Sequence, residues 1–253
     1  FEDHASPWSV IARNLDINVV KAQDYRGEVN FSGGTIQIQE YEPMNASLQA
    51  SFEIEGPYFR FERIALLTDG AETVLTGDLD MREWPEQTYE LRSEMDFSKM
   101  REIFWARDHF RLSGIGEFIG TYRLYTEGHD VSGTFTSELA GFNEHRFPNL
   151  AGSLRWLRDS FELWDTTSEF NGGRAYFTHS MAPLDQPDPA IATFDFSYED
   201  IDLTSFTETM QLDGLRLAGR AKGHYQVEWP LEYFTEHRGS GHGGRGRKCC
   251  SRV

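Results

Sequence analysis

Eight histidines stand singly in the chain, at His4, His109, His129, His145, His179, His224, His237 and His242. None makes an HxH or HExxH motif or sits beside a cysteine, so local spacing supplies no metal-ligand geometry and no metal site is expected. No GxSxG elbow presents a nucleophilic serine. Gly241, Gly243 and Gly246 spell GxGxxG, but a dinucleotide site needs a strand before it and a helix after it, and neither flank is present. That stretch reads as a flexible glycine-rich tail. Lys248 follows Arg247 and precedes Cys249, so it has neither the glycine nor the hydroxyl neighbour of a phosphate loop.

Carboxylates are the remaining candidates for chemistry. Glu83 with Glu86, and Glu162 with Asp165, have the residue types of a glycosidase, whose retaining form holds two carboxyls about 5 Å apart. Among 41 acidic residues such pairs arise by chance. No catalytic residue is assigned, no cofactor is implied, and the chain is expected not to be an enzyme. A carbohydrate-binding or carbohydrate-active β protein is the alternative reading, and a structural spacer is a third.

The chain of 253 residues carries 24 Lys and Arg against 41 Asp and Glu, a net charge of -17 with a pI near 4.8. Phosphate backbones would be repelled, so nucleic acid is not an expected partner. Aromatic residues make up 14%, including 19 Phe, while mean hydropathy is -0.55. That combination fits strands with one buried and one solvated face better than it fits disorder. The two cysteines, Cys249 and Cys250, are adjacent in the tail, and a cysteine-free body suits an oxidising compartment. The opening FEDHASPWSV has no signal-peptide pattern, and no apolar run approaches a membrane span, so any anchor is expected to lie outside this sequence.

The elements that would position any site follow from alternation. Phe59 and Phe61 share one face while Arg60 and Glu62 take the other, the period-2 pattern of a half-buried strand. The same reading puts Phe118, Tyr122 and Leu124 together, then Val131, Gly133, Phe135 and Ser137 with Leu139 continuing that face. Phe161 with Leu163, Ala175 with Phe177, and Phe194, Phe196 and Tyr198 follow suit. Turn residues at Gly33-Gly34, Asp69-Gly70, Glu127-Gly128 and Asn171-Gly172-Gly173 separate neighbouring runs, as in a meander of hairpins. A Gly followed by polar residues and alternating apolar positions recurs, as at Gly77 to Met81 and Gly133 to Leu139. Two helices are expected, near 98 to 107 behind Asp96 or Ser98 as a cap, and near 203 to 210 with Leu203, Phe206 and Met210 on one face. Residues 1–236 read as one repetitive β segment of a larger protein. Residues 237–253 read as a disordered Gly/Arg-rich tail whose composition resembles out-of-frame translation.

Taken in order, GPYFRFERIALLTDGAETVLTGDLDMREWPEQTYELRS, MREIFW, FRLSGIGEFIGTYRLYTEGHDVSGTF, FPNLAGSLRW, FNGGRAYFTHSMAPL, YEDIDLTSF, GLRLAGRAKG and VEWPL resemble the middle, repetitive part of AsmA-like proteins. The similarity is strongest to the translocation and assembly module TamB group and spans roughly residues 10 to 236. It implies a mainly β fold, an elongated antiparallel twisted sheet forming an open groove, or β-taco, with a few short helices. It further implies a periplasmic protein anchored in the inner membrane through a segment not present here. Phospholipid acyl chains would pass along the groove, and an outer-membrane assembly protein would be a partner through regions outside this chain. No catalytic residues carry over. The groove-lining candidates are Phe59, Phe61, Phe118, Tyr122, Leu124, Phe135, Phe177, Phe194 and Phe196.

Overall fold

A computed structural model of the chain describes residues 8–21, 24–38, 41–106, 108–186, 188–210 and 217–245. The described residues form sixteen strands and two short helices, a mainly β, antiparallel fold. In chain order these are β1 (Trp8–Ile11), β2 (Asp16–Lys21), β3 (Tyr25–Ile38), β4 (Met44–Glu55), β5 (Tyr58–Thr68), β6 (Ala71–Asp80) and β7 (Gln87–Asp96). Helix α1 (Phe97–Phe104) precedes β8 (Leu112–Ser113), β9 (Ile115–Tyr125), β10 (Gly128–Phe142), β11 (His145–Leu157), β12 (Phe161–Phe170), β13 (Gly173–Ala182) and β14 (Ile191–Asp202). Helix α2 (Leu203–Thr209), β15 (Arg220–Pro230) and β16 (Arg238–Arg245) complete the list. Strands pair with their sequence neighbours from β3 onward, except that β9 rather than β8 follows β7. β1 and β2 both line β3, β8 pairs with β10, and the order runs open from β1 to β16. Among the described residues no helix is long and apolar enough to cross a membrane.

The chain divides into two compact units. Unit 1 comprises 1–106, 115–135 and 154–158; unit 2 comprises 107–114, 136–153 and 159–253.

Simple hairpin alternation is interrupted by one-residue register shifts in β3, β5, β12 and β14. In β5 the shift lies between Phe61, paired with Gly77, and Ile64, paired with Leu75. One extra residue is accommodated there, so Phe59, Phe61, Ile64 and Leu66 all stay on one face. Such bulges also bend a strand and raise its twist. At the shifts in β12 and β14 the chain passes through Asp165 and Asp200, both with positive φ.

Both helices form where expected, and by one device. Asp96 accepts from the backbone N–H of Ser98 and Lys99, and Asp202 accepts from Thr204 and Ser205, so each N-terminus has a carboxylate cap. Each cap ends a strand, and each helix leads through a glycine, Gly114 at φ 108° or Gly219 at φ 111°, into the adjoining antiparallel strand. Positive φ is the reason for glycine there. The sequence repeats with the geometry: Leu112-Ser113-Gly114 precedes β9 and Leu217-Ala218-Gly219 precedes β15. Arg107, the expected end of the first helix, lies outside the described residues, and α1 stops at Phe104.

Two expectations need correction. Leu139 does not continue the face of Phe135 and Ser137: it is 50% exposed while Ala140 is buried, because the alternation slips by one near Gly114, which packs against the Leu139 carbonyl. The tail is not unstructured over 238–245. It pairs with β15 as β16, since the outer edge of β15 offers unsatisfied backbone groups that even a glycine-rich segment can meet. The Tyr225 ring lies over Gly239 and Gly241, giving side-chain contact that the glycines cannot supply. Gly246, Lys248, Cys249 and Cys250 lie outside the described residues.

Candidate functional site

In unit 1 the paired register sorts side chains onto two unlike faces. One row runs Ile54, Phe59, Leu79, Gln87, Leu124 across β4 to β9, and the next runs Phe52, Phe61, Gly77, Tyr89, Tyr122. Further rows add Leu48, Ala50, Ile64, Leu66, Leu75, Leu91 and Phe118. The reverse side carries Arg60, Asp78, Thr88 and Arg123 in one row, with cross-strand ion pairs Arg26–Glu53, Arg60–Asp78, Arg92–Glu117 and Arg155–Asp130. Exposed pairs of this kind contribute only about 0–1 kcal/mol each, so they keep that face solvated more than they hold the sheet.

The apolar face carries a continuous aromatic ladder. Phe52, Phe59 and Phe61 touch with ring centres 6.0–6.4 Å apart, Phe61 lies 6.0 Å from Tyr89, and Tyr89 stacks 6.3 Å from Tyr122. Phe61 and Tyr89 meet across β6 because that strand offers Gly77 between them: a β-carbon there would stand 2.5 Å from Tyr89 Cδ1. Similarly, Gly120 and Gly133 abut beneath the Phe118 ring. Some polar groups on this face are paired off locally, whereas His129 Nε2 is buried without a hydrogen-bond partner. Thr73 and Ser93 share a 2.8 Å hydrogen bond, and Tyr89 donates to Gln87 at 2.7 Å. Burial, with the neighbouring Tyr122, pushes the Tyr89 phenol up to about 12. His129 stands edge-on to Trp156, and burial lowers its pKa, with Arg158 acting in the same direction.

This face curls. Tyr41, in the β3–β4 connection, and Trp156, on β11, both contact Phe104 of α1, with ring centres 4.9 and 6.0 Å away. Their rings are thus no more than about 11 Å apart, whereas six steps of strand spacing in a flat sheet would separate them by about 29 Å. α1 is seated by Met100, Lys99 and Ile103 against Gly70 in the β5–β6 turn.

Unit 2 repeats the pattern. Phe177 faces Phe196, His179 faces Phe194 and Ala175 faces Tyr198 across β13 and β14. Phe170, Ala175, Ile201 and Ala221 form a buried nucleus with Phe147, Phe196 and Phe206 packed on it, the last supplied by α2. His179 stacks 5.7 Å from Trp229 beside Phe161 and Phe194, and its Nδ1 lies 2.9 Å from the Thr193 carbonyl. Burial pushes its pKa down to about 4, so the ring is neutral and Nδ1–H donates. A chain of rings, Phe142, Phe110, Phe234 and Trp229, links β10 to the end of β15.

Within unit 1, Phe59, Phe61, Tyr122, Leu124 and Phe118 lie on the apolar face by register. The abutting Gly120 and Gly133 put Phe135 on that face too. Within unit 2, Phe177, Phe194 and Phe196 form one contacting cluster. Phe118, Leu124 and Phe135 are buried, and the other six are only half-buried. Sequence reading missed Phe52, Tyr89, Phe104, Trp156, Phe147 and Phe170. The alternation of QTYELRSEMD could have found Tyr89, and that of Leu48, Ala50, Phe52 and Ile54 could have found Phe52; Phe104 and Trp156 depend on curvature.

The acid pairs are dispersed among structural roles. Glu83 ends a 3-10 turn, Glu86 pairs with Arg123 at 3.6 Å, Glu162 faces Ser180 on β13, and Asp165 sits at the bulge in β12. A concavity of about 590 Å³ over β3 to β6 has Glu72 as its single carboxylate, so two-acid chemistry has no second partner there. Comparison with family models, curated proteins and solved structures gave no match to this chain.

Proposed function

We propose that the chain is a non-enzymatic segment of a bacterial cell-envelope protein that carries phospholipid acyl chains on its apolar sheet faces. The supporting observation is the aromatic ladder from Phe52 to Tyr122. It is a contiguous apolar surface in which Phe52 and Tyr89 are buried while Phe59, Phe61 and Tyr122 stay half-buried, with Thr73 bonded to Ser93 and Tyr89 to Gln87. An ordinary domain closes such a face with a second layer. In unit 1 the eight-residue α1 packs at the edge of this sheet, against Gly70 and Tyr41, and the described strands all belong to the one sheet. Hydrocarbon suits the remainder: each methylene moved from water onto such a surface gains about 0.8 kcal/mol, with no directional bond to make or break, so a chain can slide as well as stay. The reverse face mixes ion pairs with exposed apolar side chains such as Leu67, Val74 and Ile119, so it is the more hydrated of the two without being purely polar. A periplasmic setting and an anchor elsewhere in the protein follow from the AsmA-like resemblance and belong to the same proposal.

Native mass spectrometry of the protein purified from a bacterial envelope tests this reading. Co-purified phospholipid is the expected result. Lipid-free protein that also takes up none from vesicles would remove the reading.

A further inference from the structure

The pairing of β15 with β16 brings together two histidines that are eighteen positions apart in sequence. His224 and His242 are direct cross-strand partners, and their ring centres are 5.6 Å apart. Both lie on the face opposite Val227 and Trp229, and His242 is exposed. From β14, the Asp195 carboxylate stands 2.7 Å from His224 Nε2. We propose that His224 and His242 bind a divalent transition-metal ion of the imidazole-preferring kind, such as Zn²⁺ or Ni²⁺, which clamps the glycine-rich edge strand β16 to the sheet.

The geometry carries this. A Zn–N bond of about 2.0–2.1 Å and a tetrahedral angle put two ligating imidazole centres about 5 Å apart, close to the spacing already present. With Nε2–H of His224 donating to Asp195, the lone pair falls on Nδ1, the nitrogen left free to ligate. A carboxylate on the far nitrogen of a metal-bound histidine fixes its tautomer and raises its basicity. Imidazole pairs select Zn²⁺, Ni²⁺ and Cu²⁺ over Mg²⁺ and Ca²⁺, which prefer oxygen. Among the described residues no three metal-ligating side chains are grouped, so water completes the coordination and the site is open. An Asp195–His224 ion pair alone would account for His224. It would leave unexplained a second imidazole set directly opposite, flanked by Gly241 and Gly243 on a strand otherwise poor in side chains. Sequence spacing could not reveal the pair, since it is created by a strand inside a segment that reads as unstructured.

The test is calorimetric titration of Zn²⁺ and Ni²⁺ into the chelator-treated full chain carrying Cys249→Ser and Cys250→Ser, so that thiols do not contribute. One saturable site per chain is expected, at least tenfold weaker in His224→Ala and in His242→Ala. It should be roughly tenfold or more weaker in Asp195→Asn and unchanged in His109→Ala. Hydrogen exchange of the β16 amides should slow when metal is present. Absence of saturable binding below millimolar metal would overturn the proposal, as would affinity unchanged in a folded His242→Ala protein.

Discussion

Tyr41 and Trp156 both make edge contacts with one ring, that of Phe104, although six steps of the strand order separate their parts of the sheet. A single-layer sheet can do this only by curling, and the bulges in β3 and β5 lie on the segment that curls in unit 1. Phe104 fills the space that the curl encloses. Replacing it with Ala is expected to cost about 2–3 kcal/mol, somewhat less than a fully buried Phe→Ala change because the ring is half-buried. Urea unfolding measures the loss. On the lipid-carrier account the emptied space accepts hydrocarbon, so lipid uptake should hold or rise despite the lower stability.

Gly77 is the point at which the Phe61 and Tyr89 rings meet within one cross-strand row. Gly77→Val would drive a branched side chain into Thr88 O and the Tyr89 ring, each 2.5 Å from the β-carbon position. Overpacking of this kind costs about 1–3 kcal/mol. Thermal unfolding should reveal a loss in that range, together with altered near-ultraviolet tyrosine signals. Thr76→Val, one residue along on the exposed face, should be close to neutral.

Asp96 and Asp202 cap equivalent helices, and hydrogen bonds from the Ser98 side chain and from the Thr204 backbone lead the causes that hold their carboxyls below the usual range. Asp96→Ala should destabilise by about 1 kcal/mol in chemical denaturation and Asp202→Ala should also lower the urea midpoint, with Asp→Asn costing less at either site because Asn caps nearly as well.

The histidines on the apolar faces set the response to acid. His179, His129 and His145 all have lowered pKa values, burial being the first cause of each. The folded state therefore prefers the neutral ring. Its contribution is complete above about pH 6.5, the ordinary histidine value, and is lost as pH falls from there toward the folded value, about 4 for His179. At pH 5 His179 alone accounts for up to roughly 2 kcal/mol, reduced by whatever contact its ring keeps with water. Urea midpoints at pH 7.5 and pH 5.0 should differ less for His179→Leu than for the parent. Equal differences would show that this ring is not held neutral.

Much of this is legible in the sequence. Alternation identified the strands because a one-layer sheet with one wet face is the arrangement that period 2 describes. The helices were legible from their caps, since Asp followed by a hydroxyl residue at a strand end has one economical use. Phe59 and Phe61, or Phe194 and Phe196, could be grouped because two residues apart on a strand means one face. What could not be read was anything depending on register between distant segments. The slip that turns Leu139 outward arises opposite Gly114, far away in sequence. Phe104 reads as an ordinary helix residue until the sheet curls around it. The tail reads as disordered because its composition says nothing of the open edge of β15 that it pairs with.

The central claim is that the aromatic face of unit 1 holds hydrocarbon, and its most direct measurement is lipid occupancy by native mass spectrometry after incubation with phospholipid vesicles. Phe61→Glu places a charge in the ladder at a half-buried position, and Gln49→Glu places the same charge on the solvated face. Displacing two or more methylenes from the ladder forfeits about 1.6 kcal/mol or more, so Phe61→Glu should reduce occupancy at least tenfold. Gln49→Glu should match the parent, with both variants folded by circular dichroism. Parental occupancy in folded Phe61→Glu protein would contradict the account.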